Sequence, residues 1–397
     1  MQDQIIGRYF GQRGPLFRLY LVTALLTLVT LGIYRFWART RIRKYVWSGI
    51  SGDEDSFEYT GTGLEKFLGF LLAIVILAVY LGIVQMALFY FGLTLFTEPQ
   101  NQAQALAQIG AIYITLLAVL PLILFAQYRA RRYKMARSRW RGLRFGMEHG
   151  AWGYVGRALV LYALNILTLG LLNPLVSFKL EEYMTNRSWY GDAQFVQQGR
   201  WQDLYAGMKH VFIGLGGIVL AAITLAWGAA SSTLGMAIAG SVLGFAAYIW
   251  FLIGLVYYRV FAFNYLTQHK VLDGVVRFDA ALQTGRIISI VVVGTLVIGV
   301  LMAVLFGVVG GIIATLNAAV MQGNPALLVL IAAIYAFAFM VAGGLSLVMI
   351  TQPVIAHAVE NIRVFEPAHL ATIQQRVADT GADAEGFADA LDVGGAL

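Results

Sequence analysis

The chain has 397 residues, of which 59% are apolar and only 12% charged, and its mean hydropathy of +0.72 excludes water as its main solvent. Its net charge is +7, from 28 Lys and Arg against 21 Asp and Glu. The absence of cysteine excludes disulfides, thiolate nucleophiles and thiolate metal sites. In lipid, only helices and closed barrels satisfy the backbone, and long unbroken apolar runs mean helices because barrel strands alternate.

Eight apolar segments follow in order: 17–37, 67–96, 105–127, 154–178, 209–230, 234–257, 287–320 and 326–352. Six of them form three pairs joined by short loops, Thr97 to Gln104, Ala230 to Thr233 and Met321 to Pro325, none of which holds Lys or Arg. The other connections carry nearly all the basic residues, with the densest run between Arg129 and Arg144. Segments 67–96 and 287–320 exceed the ~30 Å hydrocarbon core at 1.5 Å per residue, so they tilt, bend or project.

Lys and Arg favour the cytoplasmic side of short loops, which tests the topology. Eight simple crossings would divide the basic connections almost evenly between the two sides. If segments 17–37 and 154–178 instead enter and leave on one side, every basic connection and both termini become cytoplasmic, and the three bare loops become external. Both segments are broken by one phrase, Thr30-Leu31-Gly32 and Thr168-Leu169-Gly170, with Pro174 after the second. These positions are the candidate re-entrant turns; the alternative is a pair of short spans. Arg35, Arg39 and Arg43 recur at i+4 after the first turn, among the interfacial aromatics Tyr34, Trp37 and Trp47. With Arg131, Arg132 and Arg139 they are the candidate contacts for anionic lipid headgroups.

A shift of 138 positions superposes two regions without a gap: Gly32 falls on Gly170, Tyr45 on Tyr183, Phe57 on Phe195, Gly61 on Gly199, Phe67 on Tyr205 and Gly69 on Gly207. A looser echo sets Tyr133, Gly142 and Phe145 beside Tyr265, Gly274 and Phe278. Polar-aromatic runs such as Ser56-Phe57-Glu58-Tyr59-Thr60 allow brief cytoplasmic strands or serve as interfacial turns.

The run from Leu26 to Thr40, the phrase Phe57-Glu58-Tyr59-Thr60-Gly61-Thr62-Gly63 and the following Phe67-Leu68-Gly69-Phe70 resemble the YjgN family, from about Gly7 to the region of Glu360. The resemblance implies a multi-pass protein of the bacterial inner membrane built around a domain of unknown function. It also implies a membrane metalloprotease as a protein partner, because some members are encoded beside one. It carries no catalytic residue to transfer.

The residues themselves point to no reaction. His149, His210, His269, His357 and His369 are scattered without zinc-ligand spacing. No nucleophile elbow, phosphate loop or dinucleotide fingerprint occurs. Glu181 and Glu182 are adjacent, so on a helix they do not face each other, and they pair with Lys179 or Arg187 or face water. The cores of the six long helices hold no charge, only polar residues such as Gln85, Gln108, Thr224 and Asn317, which disfavours ion coupling. They do hold glycine, at Gly240 and Gly244, Gly307 and Gly311, Gly216-Gly217 and Gly343-Gly344, for close packing inside a bundle or between copies. The Arg129–Arg144 run next to a membrane helix reads as a topogenic and lipid-contacting segment, so no nucleic-acid partner is expected.

The expected fold class is an all-α polytopic membrane protein: three long transmembrane helical hairpins, two re-entrant or short spanning segments, an internal repeat and short cytoplasmic strand-like connections. Its expected divisions are 1–145, 146–265, 266–356 and an acidic flexible tail, 357–397, in which Pro367 opens a short helix with Leu370, Ile373 and Val377 on one side. The expected activity is that of a non-catalytic scaffold or regulator, without cofactor, that organises a partner or lipid at the cytoplasmic leaflet. The alternative is a conduit for a lipid or weakly polar solute, with its pathway at the Thr-Leu-Gly turns.

Overall fold

The computed structural model describes residues 4–93, 95, 98–315 and 325–376. Thr97, Asn317, Met321, Val377 and the acidic stretch that follows Val377 lie outside the described residues.

In chain order the elements are β1 (Gln4–Tyr9), α1 (Arg13–Val29), α2 (Arg35–Ser48), β2 (Ile50–Gly52), β3 (Asp55–Ser56), β4 (Glu58–Tyr59), α3 (Gly63–Tyr90) and α4 (Gln102–Ala136). Next come β5 (Ser138–Trp140), β6 (Leu143–Met147), α5 (Ala151–Leu167), α6 (Asn173–Thr185), β7 (Ser188–Tyr190) and β8 (Ala193–Gln197). A 3-10 turn (Trp201–Met208) leads into α7 (Lys209–Ala230) and α8 (Leu234–Gln268), then β9 (Lys270–Leu272), β10 (Val276–Ala280) and α9 (Thr284–Thr315). Last are α10 (Pro325–Ser346), a π-helical turn (Leu347–Thr351), α11 (Gln352–Glu360), β11 (Ile362–Phe365) and a 3-10 turn (Pro367–Ala371).

Among the described residues, six helical stretches are long and apolar enough to cross a membrane: Gly63–Tyr90, Gln102–Ala136, Trp201–Ala230, Leu234–Gln268, Thr284–Ile312 and Ala326–Glu360. Their outward faces are apolar, which is stable in lipid and not in water. The chain is a multi-pass helical membrane protein. Two of these helices run well beyond the apolar windows read from sequence. α4 reaches Ala136 rather than 127, and α8 reaches Gln268 rather than 257, each with 35 residues or about 52 Å. Charge ends an apolar window but not a helix, since Arg, Lys, Met and Ala are all good helix formers.

The expected all-α class is corrected by the strands. The chain divides into two compact units. One holds the residues up to Leu25, Gly49–Glu54 and Gln197–Ala371; within it β2, β1, β11, β10 and β9 lie side by side as an antiparallel sheet. The other holds Leu26–Ser48, Asp55–Val196 and the chain from Thr372; within it β8, β7, β6, β5 and β4 form a second antiparallel sheet. Two tight hairpins turn on residues with positive φ at both central positions, Arg141 (50°) with Gly142 (76°) and Asp273 (53°) with Gly274 (72°), the turn whose twist suits paired strands. Along the second sheet Phe57 stacks on Trp140 at 5.5 Å and Phe145 meets Tyr190 at 4.8 Å. Burial pushes the Tyr190 hydroxyl up to about 12, and it donates to the Trp140 carbonyl at 3.0 Å.

Residues 362–371 do not behave as a flexible tail. Ile362–Phe365 pairs with both β1 and β10, and Leu370 is buried. The short helix expected after Pro367 is a 3-10 turn.

In the first unit α7 and α8 are in contact along their length at the glycines. A Cβ on Gly214 would lie 2.6 Å from the Phe251 Cα, on Gly228 2.8 Å from the Ala237 nitrogen, and on Gly240 2.8 Å from Leu225. Gly343 and Gly344 receive the rings of Tyr20 and Phe17 of α1. Gly307 and Gly311 share the spacing of Gly240 and Gly244, yet each faces open space. In the second unit the core gathers Leu124 and Tyr128 of α4, Tyr154, Val155 and Ala158 of α5, and Val176, Leu180 and Tyr183 of α6.

Candidate functional site

Two broken helices stand apart from the six long ones. α1 and α5 both have 17 residues, and their bounds differ by 138 positions, as do the starts of α2 and α6. The break between them has the same geometry twice. Leu31 and Gly32 have φ of 50° and 92°, and Leu169 and Gly170 have 53° and 88°. The Gly32 N–H donates to the Thr27 carbonyl at 2.7 Å, and the Gly170 N–H to the Asn165 carbonyl at 2.7 Å. A left-handed residue followed by glycine is how a helix ends with its last carbonyls satisfied.

The threonine of each phrase closes the turn on itself. Thr30 Oγ1 donates to the Leu26 carbonyl at 2.7 Å and accepts the Tyr34 N–H at 2.9 Å; Thr168 Oγ1 donates to the Leu164 carbonyl at 2.9 Å and accepts the Leu172 N–H at 3.4 Å. The leucines point outward, Leu31 being 94% and Leu169 89% exposed, with Ile33 and Leu171 beside them about half exposed. Each tip is therefore an apolar cap over a satisfied backbone. Pro174 is buried in the first turn of α6, where its missing N–H costs nothing.

The six arginines read as headgroup contacts are not equivalent. Arg35 is exposed, and Arg39 and Arg139 are half-buried, Arg139 lying in β5 opposite Glu58. Arg43 is buried: its Nη1 donates to the Tyr59 hydroxyl at 3.0 Å, and its guanidinium lies 5.1 Å from that ring's centre. Arg131 makes a bidentate pair with Glu181, at 2.6 and 2.9 Å. Arg132, 1% exposed, donates to the Met147 carbonyl at 3.0 Å and meets His149 Nε2 at 2.9 Å. Of the adjacent glutamates, Glu182 pairs with Lys179 as expected, whereas Glu181 turns to Arg131.

The Arg131–Glu181 pair joins α4 to α6, and its loss has a predictable cost. Glu181→Gln leaves the guanidinium in place without its counter-charge. Fully buried pairs lose 3–5 kcal/mol when one partner goes; with side chains 31% and 18% exposed, about 2 kcal/mol is expected here. Denaturant unfolding in micelles reads it, and the double variant Arg131→Met with Glu181→Leu should recover most of the loss.

The model of a family described as bacterial proteins of unknown function (DUF898) matches residues 5–390. The chain belongs to this family. The inner membrane protein YjgN of Salmonella typhimurium is 27% identical over 173 residues, which is 41% of this chain and 39% of that relative. The match thus spans well under half of the curated relative's length. No solved structure matches the chain.

This DUF898 protein also builds a contact that sequence reading missed, at one end of each consecutive pair of long helices. The Tyr133 hydroxyl, near the end of α4, donates to Glu65 in the first turn of α3 at 2.9 Å, and Arg137 joins at 3.1 Å. The Tyr265 hydroxyl, near the end of α8, donates to Asp203 at 2.6 Å, and Asp203 lies 138 positions after Glu65. In the third pair the Gln283 N–H donates to His357 Nε2 at 3.1 Å. Lys66, 1% exposed, lies 5.3 Å from the Tyr59 ring centre and 6.0 Å from that of Tyr133. The signal for it was Thr62-x-x-Glu65: Thr62 caps α3 by accepting the Glu65 N–H, which starts the helix before the apolar window and carries Glu65 and Lys66 into it.

Proposed function

We propose that this DUF898 protein is a non-catalytic scaffold of the bacterial inner membrane that sets two helical wedges into the cytoplasmic leaflet and keeps its strand-bearing, basic face at the headgroups. The observation that carries the reading is the pair of tips. Leu31 and Leu169 face outward, and both threonines spend their hydrogen bonds inside the turn. Such a tip is stable against acyl chains and has nothing to offer water or a polar solute. At about 25 Å, a 17-residue helix is shorter than the ~30 Å hydrocarbon core, which suits entry and return on one side. A conduit would turn polar groups of these phrases toward a pathway, so the outward leucines favour the scaffold. The inner-membrane assignment draws support from the name of the Salmonella relative.

The absence of cysteine makes the topology directly testable. Single cysteines at Ser51, Gln102, Ser188, Ser232 and Gln268 are expected to react with a membrane-impermeant thiol reagent on intact cells only at Gln102 and Ser232. Labelling at Ser51 or Ser188 would make the broken helices full crossings and remove the wedges.

A further inference from the structure

Where α7 begins, Lys209 and His210 stand against the rings of Tyr257 and Trp250 of α8. We propose that these four side chains bind an anionic phospholipid of the inner leaflet, the first two at its phosphate and the rings along its acyl chain.

Three observations carry the assignment. The first is depth. No Asp, Glu, Lys, Arg or His lies between Val211 and Tyr258, so Lys209 and His210 are the last such side chains before the apolar span of α7, at the level where headgroups begin.

The second is a pair of donors held open. Lys209 is exposed, with its Nζ 5.2 Å from the Tyr257 ring centre. His210 is half-buried, edge-on to Tyr257 at 4.6 Å and to Trp250 at 5.7 Å. Among the described residues neither makes a hydrogen bond or an ion pair. His210 Nδ1 is sealed from solvent without a partner, and an N–H there would forfeit its hydrogen bond, so the neutral ring carries its proton on Nε2 as a donor. An ammonium and an imidazole N–H against one ring match the oxygens of a phosphate. The carboxylate nearest in sequence, Asp203, already accepts the Tyr265 hydroxyl at 2.6 Å. The arrangement is fixed before any ligand arrives: a Cβ at Gly254 would lie 2.7 Å from the His210 carbonyl carbon, so α7 begins directly on α8, and Tyr257 stacks on Phe261 at 6.4 Å.

The third observation chooses a lipid over free phosphate. Trp250 is 43% exposed and lies seven residues from Tyr257 toward the middle of the span, about 10 Å along the helix. An indole there borders an acyl chain while the ammonium stays at the headgroups. The ligand that fits is anionic at one end and apolar at the other.

The inner-leaflet assignment rests on the cytoplasmic placement of the basic face. Cysteine labelling reads that placement and micelle binding does not depend on it, so the two fail separately. The test uses the full chain in neutral micelles, with thermal unfolding followed against dioctanoyl phosphatidylglycerol, dioctanoyl phosphatidylcholine and inorganic phosphate. Phosphatidylglycerol is expected to raise the midpoint saturably at concentrations where the other two do not. Lys209→Gln should weaken that response about fivefold, the worth of one interfacial cation. His210→Phe keeps the ring packing, loses the donor and should weaken it about threefold. Arg259→Gln is the control: this exposed cation follows Tyr257 by two positions, hence on another side of α8, and its loss should change the response less than about twofold. If His210→Phe does not fold, Lys209→Gln decides. Equal potency of phosphatidylcholine or of inorganic phosphate, no response in the unmodified chain, or an unchanged response in Lys209→Gln would each overturn the assignment.

Discussion

Gly254→Val is expected to destabilise the protein by about 3 kcal/mol, near the top of the range for overpacking. A Cβ at that position would lie 2.7 Å from the His210 carbonyl carbon and from the Val211 nitrogen. Those atoms are backbone of α7, so no rotamer change relieves the overlap and the two helices must separate. Separation would also open the contacts at Gly214, Gly228 and Gly240, where the facing atoms are again backbone or packed side chain. Close backbone approach at small residues is what holds helices together in lipid, where burial of apolar area gives no net drive. Gly216→Ala is the matched control, because nothing stands within 4 Å of its Cβ position. Thermal unfolding of both variants in the same micelle reads the difference. Equal stability would mean that α7 and α8 do not approach as closely as described.

These glycines show what could and could not be read beforehand. Spacing alone marks Gly240 with Gly244 and Gly307 with Gly311 as equals, but only the first pair meets a neighbouring helix, because spacing defines a face without saying what lies opposite it. The six long helices were legible since apolar length is a property of the segment itself. The sheets were only half legible. Brief strands around Phe57 are suggested by alternation, whereas β1 and β11 find each other across most of the chain, with Gln4 beside Phe365. Pairing at that separation leaves no local trace. Among the arginines, Arg35 is the surface cation its sequence suggests, while Arg43 is buried under Tyr59 by a strand register that charge patterning does not encode.

The largest effect is expected at the tips. In the wedge reading Leu31 and Leu169 lie in acyl chains, so Leu31→Arg and Leu169→Arg each place a cation where insertion costs about 2.5–3.5 kcal/mol at full depth. Neither tip offers a carboxylate to offset that cost, and both threonines are already committed to their own turns. The arginine at a tip has only two outcomes, to stay and thin the bilayer or to withdraw its helix pair to the surface. Withdrawal of α5 and α6 would pull on Tyr154, Val176 and Tyr183, which share a core with Tyr128 of α4, so that damage should spread through the second unit. The double variant is accordingly expected to lose most of its membrane-inserted, protease-resistant population, and Leu31→Ile with Leu169→Ile to keep it. Brominated-lipid quenching of a probe attached at Leu31→Cys gives the depth directly. Deep quenching places the tip among acyl chains, whereas a probe quenched only by iodide in water would remove the wedge and return the two segments to ordinary surface helices.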